Sequence, residues 1–164
     1  MAKDGSQDKG EFERKLEAVL TVQLPGCESL LSAERLSGGA SQETYRLVIE
    51  DDGCESGERV LAMRRGAGGV HANKSELGYP GLSTEALLMQ SARAAGVPEP
   101  EIHYVLMPSD GLGDGFVMEW LQGETLGARI VRSERFEAVR PTLAYECGKF
   151  MARIHNIDLQ ATGL

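Results

Sequence analysis

Leu36-Ser37-Gly38-Gly39-Ala40-Ser41-Gln42-Glu43-Thr44-Tyr45-Arg46-Leu47-Val48-Ile49, then Asp51-Asp52-Gly53, then Arg59-Val60-Leu61-Ala62-Met63-Arg64-Arg65, is the stretch on which the fold turns. Thr44 to Ile49 is rich in β-branched and aromatic side chains, and Asp51-Asp52-Gly53 reads as a hairpin turn into a second strand. Short β-like stretches from Ser29 onward precede the glycine pair, so three consecutive strands are expected. Upstream, Phe12, Leu16, Val19 and Leu20 share one face of a helix over Glu11–Leu24, stopped by Pro25-Gly26. Downstream, residues 66–82 are rich in glycine and read as a mobile loop. Ser83 or Thr84 is expected to cap a helix from Glu85 to Ala95, which Gly96-Val97-Pro98 ends. A strand over Ile102–Met107, a turn over Ser109–Gly115 and a strand over Phe116–Leu121 follow. After Gly123 the pattern is helical, with Leu143, Cys147, Phe150, Met151 and Ile154 on one face up to about His155. Hairpin-linked strands with one inserted helix predict the α+β class, an antiparallel sheet with a helix packed on it. Strict βαβ alternation is absent.

Composition narrows the function classes. The chain has 164 residues, 41% hydrophobic and 26% charged, with a net charge of −8. The acidic balance argues against coating DNA or RNA, which takes clustered Lys and Arg. No apolar run approaches the ~20 residues of a membrane helix. The polar start Met1-Ala-Lys-Asp-Gly shows no secretory signal, and residues 1–10 read as a disordered tail. Cys27, Cys54 and Cys147 lie far apart with no CxxC, which suits free thiols in a reducing, cytoplasmic setting. His71, His103 and His155 are equally scattered, and no metal-ligand spacing occurs.

Four segments bear on chemistry, and each has a plain structural reading beside it. The Gly38-Gly39 loop lets a backbone approach phosphate oxygens, with the Ser41 and Thr44 hydroxyls as added donors; it is equally a glycine hairpin turn. Arg64 and Arg65 put a cation on the third strand, as phosphate orientation requires, or simply mark a solvated strand end. Glu85 pairs with Arg64, or only complements the helix dipole. Phe116-Val117-Met118-Glu119-Trp120-Leu121-Gln122-Gly123 offers backbone groups to a flat heterocycle, or is a core strand with a turn. There is no GxxxxGK[ST], GxSxG or HExxH. Gly111-Leu112-Gly113-Asp114-Gly115 precedes a strand rather than a helix, so it reads as a hairpin tip and not a dinucleotide loop.

The order of these segments resembles the N-lobe of the protein-kinase-like fold and, more narrowly, the aminoglycoside phosphotransferase family of small-molecule kinases. Gly38-Gly39-Ala40-Ser41-Gln42-Glu43-Thr44-Tyr45 resembles its GG-x-S-N-x-T-y loop. Val97-Pro98-Glu99-Pro100 resembles its V-P-x-P turn, and Phe116-Val117-Met118-Glu119 with Gly123 its linker segment. The helix ending Ala152-Arg153-Ile154-His155 resembles the one before its catalytic loop. The resemblance covers roughly residues 12–164. It implies an antiparallel five-stranded sheet with one packed helix and an N-terminal helix. It also implies domains of 11–121 (nucleotide-binding N-lobe) and 122–164 (linker and first helices of an incomplete helical C-lobe), after the tail 1–10. It implies ATP and Mg²⁺ as cofactors and a small-molecule hydroxyl as substrate. By position, Gly38, Gly39, Ala40, Ser41, Gln42, Glu43 and Thr44 would cover the phosphates. Arg64, where the family has Lys or Arg, would contact the α and β phosphates and pair with Glu85. Met118 would lie beside adenine, with the Glu119 carbonyl and the Leu121 N–H on its edge.

The family's H-G-D-x-x-x-x-N segment does not occur in these residues, and Asn156-Ile157-Asp158-Leu159 does not match it. No catalytic residue and no metal ligand is therefore assigned. The sequence is expected to be a fragment, inactive alone, with Mg²⁺ ligands in a missing C-lobe. The alternative is a non-catalytic nucleotide-binding or interaction module. Self-association through helix 141–155 is a further expectation. Aminoglycosides, other hydroxylated metabolites and hydroxyacyl thioesters all remain possible substrates. The last enter because the loop and the Arg64-Arg65 strand also resemble phosphotransferase domains associated with acyl-CoA dehydrogenases.

Overall fold

Alternation along residues 42–51 builds the sheet. A computed structural model describes residues 9–37, 42–69 and 81–162. The elements are α1 (Glu11–Gln23), β1 (Cys27–Arg35), β2 (Gln42–Asp51), β3 (Glu58–Gly66), α2 (Leu82–Ala94), β4 (Ile102–Val105), β5 (Gly115–Glu119), α3 (Gly127–Arg132), α4 (Arg140–His155) and α5 (Leu159–Thr162). In β2, Glu43, Tyr45, Leu47, Ile49 and Asp51 are buried, while Gln42, Thr44, Arg46 and Val48 between them are only partly so. Successive strand residues point to opposite faces, so one register decision sorts them all.

All five strands form one antiparallel sheet in the order β1-β2-β3-β5-β4. Together with the helices this is the expected α+β, kinase-like architecture. On one face of the sheet, Leu16 and Leu20 from α1 and Leu24 just past its end meet Leu30, Tyr45, Leu47, Ile49, Leu61, Met63 and Val117 in the core. The periodicity of α1 foretells this, since Leu16 and Leu20 are fully buried and Phe12 and Val19 pack beside them.

Local differences from the sequence expectation have identifiable causes. The β2–β3 connection is longer than a tight Asp-Asp-Gly turn. It runs from Asp52 to Gly57 and is closed by Asp51 N–H to the Gly57 carbonyl at 3.0 Å and Gly57 N–H to the Cys54 carbonyl at 2.9 Å. Helix α2 begins earlier than expected because the Gly81 carbonyl accepts the Glu85 N–H at 3.0 Å. Ser83 and Thr84 thus lie within the first turn instead of capping it. The helix ends as expected at Gly96, at φ +83°, with Val97 N–H bonded to the Ala92 carbonyl and Gly96 N–H to the Arg93 carbonyl. That paired arrangement is the usual left-handed helix stop. Strand β4 stops at Val105, short of Met107, because Pro108 opens a 3₁₀ turn over Pro108–Asp110. The Asp110 carboxylate anchors that turn by accepting the Met107 N–H at 2.7 Å and the Tyr104 hydroxyl at 3.1 Å. Within the glycine-rich stretch, Ala67–Gly69 form another 3₁₀ turn; residues 70–80, most of the expected mobile loop, lie outside the described residues. So do residues 1–8 of the expected tail.

The chain divides into two compact units. Met1–Ala86 with Ile102–Trp120 holds α1, the sheet and the start of α2. Leu87–Glu101 with Leu121–Leu164 holds the rest of α2 and α3 to α5. In the second unit, no residue of α4 is buried, and Leu143, Tyr145, Met151 and Ile154 are all exposed.

Candidate functional site

Two adjacent arginines end β3, and strand parity gives them opposite tasks. Arg64 sits opposite Thr44 and Phe116 in the ladder, whereas Arg65 sits opposite Glu43 and Gly115. Directly opposed residues share a face. Thr44, Arg64 and Phe116 therefore lie on the face away from α1, together with Arg46, Ala62 and Met118, which form the neighbouring register row. Glu43 and Arg65 point to the α1 side.

On the outer face, Arg64 is held at two points. Its Nη1 lies 2.5 Å from Glu85 Oε1, and its Nε donates to Gln42 Oε1 at 2.5 Å. The Arg64 side chain is 39% exposed and Glu85 20%, so the cation is held yet reachable from solvent. The two contacts use Nε and Nη1 of a fork that carries five N–H donors and suits a phosphate bidentately. Glu85 reaches Arg64 from the first turn of α2. Gln42 reaches it from the first residue of β2, where the glycine loop ends.

On the inner face, the Glu43 carboxylate is 7% exposed and collects four donors. Oε2 accepts from Arg65 Nε at 2.8 Å and from the Tyr45 hydroxyl at 3.0 Å. Oε1 accepts the Gly68 N–H at 3.3 Å and lies 3.2 Å from Arg35 Nη1. Burial by itself pushes this carboxyl up, but the Gly68 N–H, the Tyr45 hydroxyl and the Arg65 guanidinium outweigh it and hold it below the usual carboxylate range. Burial, then the bond to Glu43, pushes the Tyr45 phenol up. Arg65 also donates to the Leu112 carbonyl and stacks over the Phe12 ring at 4.2 Å. The sequence names Glu43 among the loop residues; the structure turns its side chain away from Arg64, Gln42 and Thr44.

The other expected site residues are distributed as follows. Gly38, Gly39, Ala40 and Ser41 lie outside the described residues. Met118 is opposite Ala62 and Glu119 opposite Leu61 in the ladder. Trp120 stacks under the Arg46 guanidinium at 5.8 Å from the ring centre, a contact the sequence reading missed because it needs the β2 register. Leu121, exposed, belongs to the second unit. Asp158 accepts the Gln160 and Ala161 N–H groups and so caps α5. Among the described residues, no three His, Cys, Asp or Glu side chains converge as a metal site. Among them, too, no helix is long and apolar enough to cross a membrane.

A family model described as the phosphotransferase enzyme family, APH, matches residues 32–164. No curated protein and no solved structure gives a significant match to the chain.

Proposed function

Because this chain belongs to the phosphotransferase enzyme family, we propose that it carries the nucleotide half of an ATP-dependent transfer to a small-molecule hydroxyl. In that reaction the bond from the γ-phosphorus to the ADP oxygen breaks. A new P–O bond forms to the substrate oxygen, whose proton leaves to a base. Such transfer depends on holding the phosphates still and balancing their charge.

Arg64 supports this reading more than any other residue: a half-buried cation, reachable from solvent, opposite Thr44 in the ladder and fixed by Glu85 and Gln42. In the proposal, Arg64 binds the α and β phosphates and Glu85 sets its direction. The loop from Gly38 through Thr44 covers the phosphates, Glu43 contributing only its backbone. Met118, the Glu119 carbonyl and the Leu121 N–H surround the adenine. ATP enters with Mg²⁺. The 164 residues contain no H-G-D-x-x-x-x-N segment, so the proposal for the isolated chain is binding without turnover.

Calorimetric titration of Mg-ATP tests this. Binding is expected to be weak in the unaltered chain, lost in Arg64→Ala, and partly kept in Arg64→Lys, which retains the charge without the fork. Equal affinity in the unaltered chain and Arg64→Ala would overturn the phosphate role. Phosphoryl transfer by the pure chain would overturn the inactive reading.

A further inference from the structure

The buried alternation of β2, with its ladder to β3, fixes their register and so turns Arg64 outward and Arg65 toward the core. Register alone does not hold the two ends of the glycine loop together. We propose that Glu43 is a positioning residue for the nucleotide site: its buried carboxylate staples β1, β2 and the turn after β3 together at the base of that loop and so steadies Gln42 and, through it, Arg64.

Three segments meet on that carboxylate. Arg35 ends β1, the strand that enters the glycine loop; Glu43 is the second residue of β2, the strand that leaves it. Arg65, the direct ladder partner of Glu43, bonds to it at 2.8 Å. Gly68, in the 3₁₀ turn that follows β3, donates its N–H. The two ends of the loop are therefore tied together from the core side, next to the backbone bond from Leu36 N–H to the Thr44 carbonyl at 2.8 Å. Arg65 extends the tie to the Leu112 carbonyl and the Phe12 ring. Gln42 and Thr44, on either side of Glu43 in sequence, are the residues that reach or oppose Arg64 on the outer face. The staple thus acts through Arg64 and Gln42 and has no direct access to a ligand.

The inference rests on the nucleotide reading, so its test has one arm that needs no nucleotide. Glu43→Gln keeps the shape but removes the charge that holds Arg65. Amide exchange at Leu36, whose N–H donates to the Thr44 carbonyl, is expected to quicken in the free variant. ATP affinity is expected to fall between about twofold and a hundredfold, the span of couplings inside one polar network. Glu43→Gln combined with Arg65→Met leaves neither charge buried alone and is expected to regain thermal stability. It is not expected to regain affinity, because Arg35 and the Gly68 N–H still lack the carboxylate that ties them to β2 at the base of the loop. A merely structural role would restore both together, and that result overturns the proposal. So does unchanged amide exchange in Glu43→Gln. If the unaltered chain binds no ATP while exchange still quickens, the staple stands and only the nucleotide reading fails.

Discussion

Glu43 and Cys27 show how position sets the chemistry of a single side chain. The Glu43 carboxyl titrates lower in the folded chain than in the unfolded one, despite its burial, because of the donors it gains. Its stabilising contribution is therefore complete above the unfolded value of about 4.3 and is lost as pH falls through the lower folded value. Acid unfolding followed by circular dichroism is expected to be less steep below pH ~4 in Glu43→Gln. The slope that remains belongs to groups such as Glu17, held low first by Lys9 and also by the Leu30 N–H. Burial pushes the Cys27 thiol up, and its side chain is enclosed, whereas Cys147 on α4 is exposed. Since thiolate and access both govern alkylation, iodoacetamide at neutral pH is expected to label Cys147 quickly and Cys27 only on unfolding. Mass spectrometry of the labelled peptides checks this, and rapid labelling of Cys27 in the folded chain would contradict its burial.

At the scale of elements, the sheet depends on close approach as much as on hydrophobic pattern. Gly115 begins β5 against the end of β3, and a Cβ there would fall 2.5 Å from the Arg64 carbonyl oxygen and 2.9 Å from the Arg65 Cβ. Backbone cannot swing aside as a long side chain does. Gly115→Ala is expected to cost about 1–3 kcal/mol, the range for overpacking a tight contact, read as a lowered denaturant midpoint. Because the displaced atoms belong to Arg64 and Arg65, the same variant is expected to weaken nucleotide binding. Gly123→Ala, whose added Cβ meets nothing within 4 Å, is the matched control. Most elements were legible in the sequence: α1 from its apolar stripe, β2 from its β-branched run, the end of α2 from Gly96. The misplaced boundaries were those set by hydrogen bonds to residues outside the local pattern. Gly81 starts α2 by offering a carbonyl, and the six-residue span Asp52–Gly57 closes its loop through backbone bonds that composition does not announce.

For the whole molecule, the net charge of −8 gives a prediction that no single site does. The chain should not be retained by duplex DNA even at ~50 mM salt, since such retention draws on released counterions and clustered cations. A mobility-shift titration at low salt checks it. The sequence by itself determined the α+β class, the family and the candidate segments, because these rest on local periodicity and on motif order along the chain. It also paired Arg64 with Glu85 through a resemblance. Only the tertiary structure separated Arg64 from Arg65, turned Glu43 into the core beside Arg65 and Arg35, and set Arg46 over Trp120. The reason is the two-residue period of a strand. Which side chains share a face across β2, β3 and β5 follows from their register, and register is fixed by contacts between strands that lie far apart in sequence.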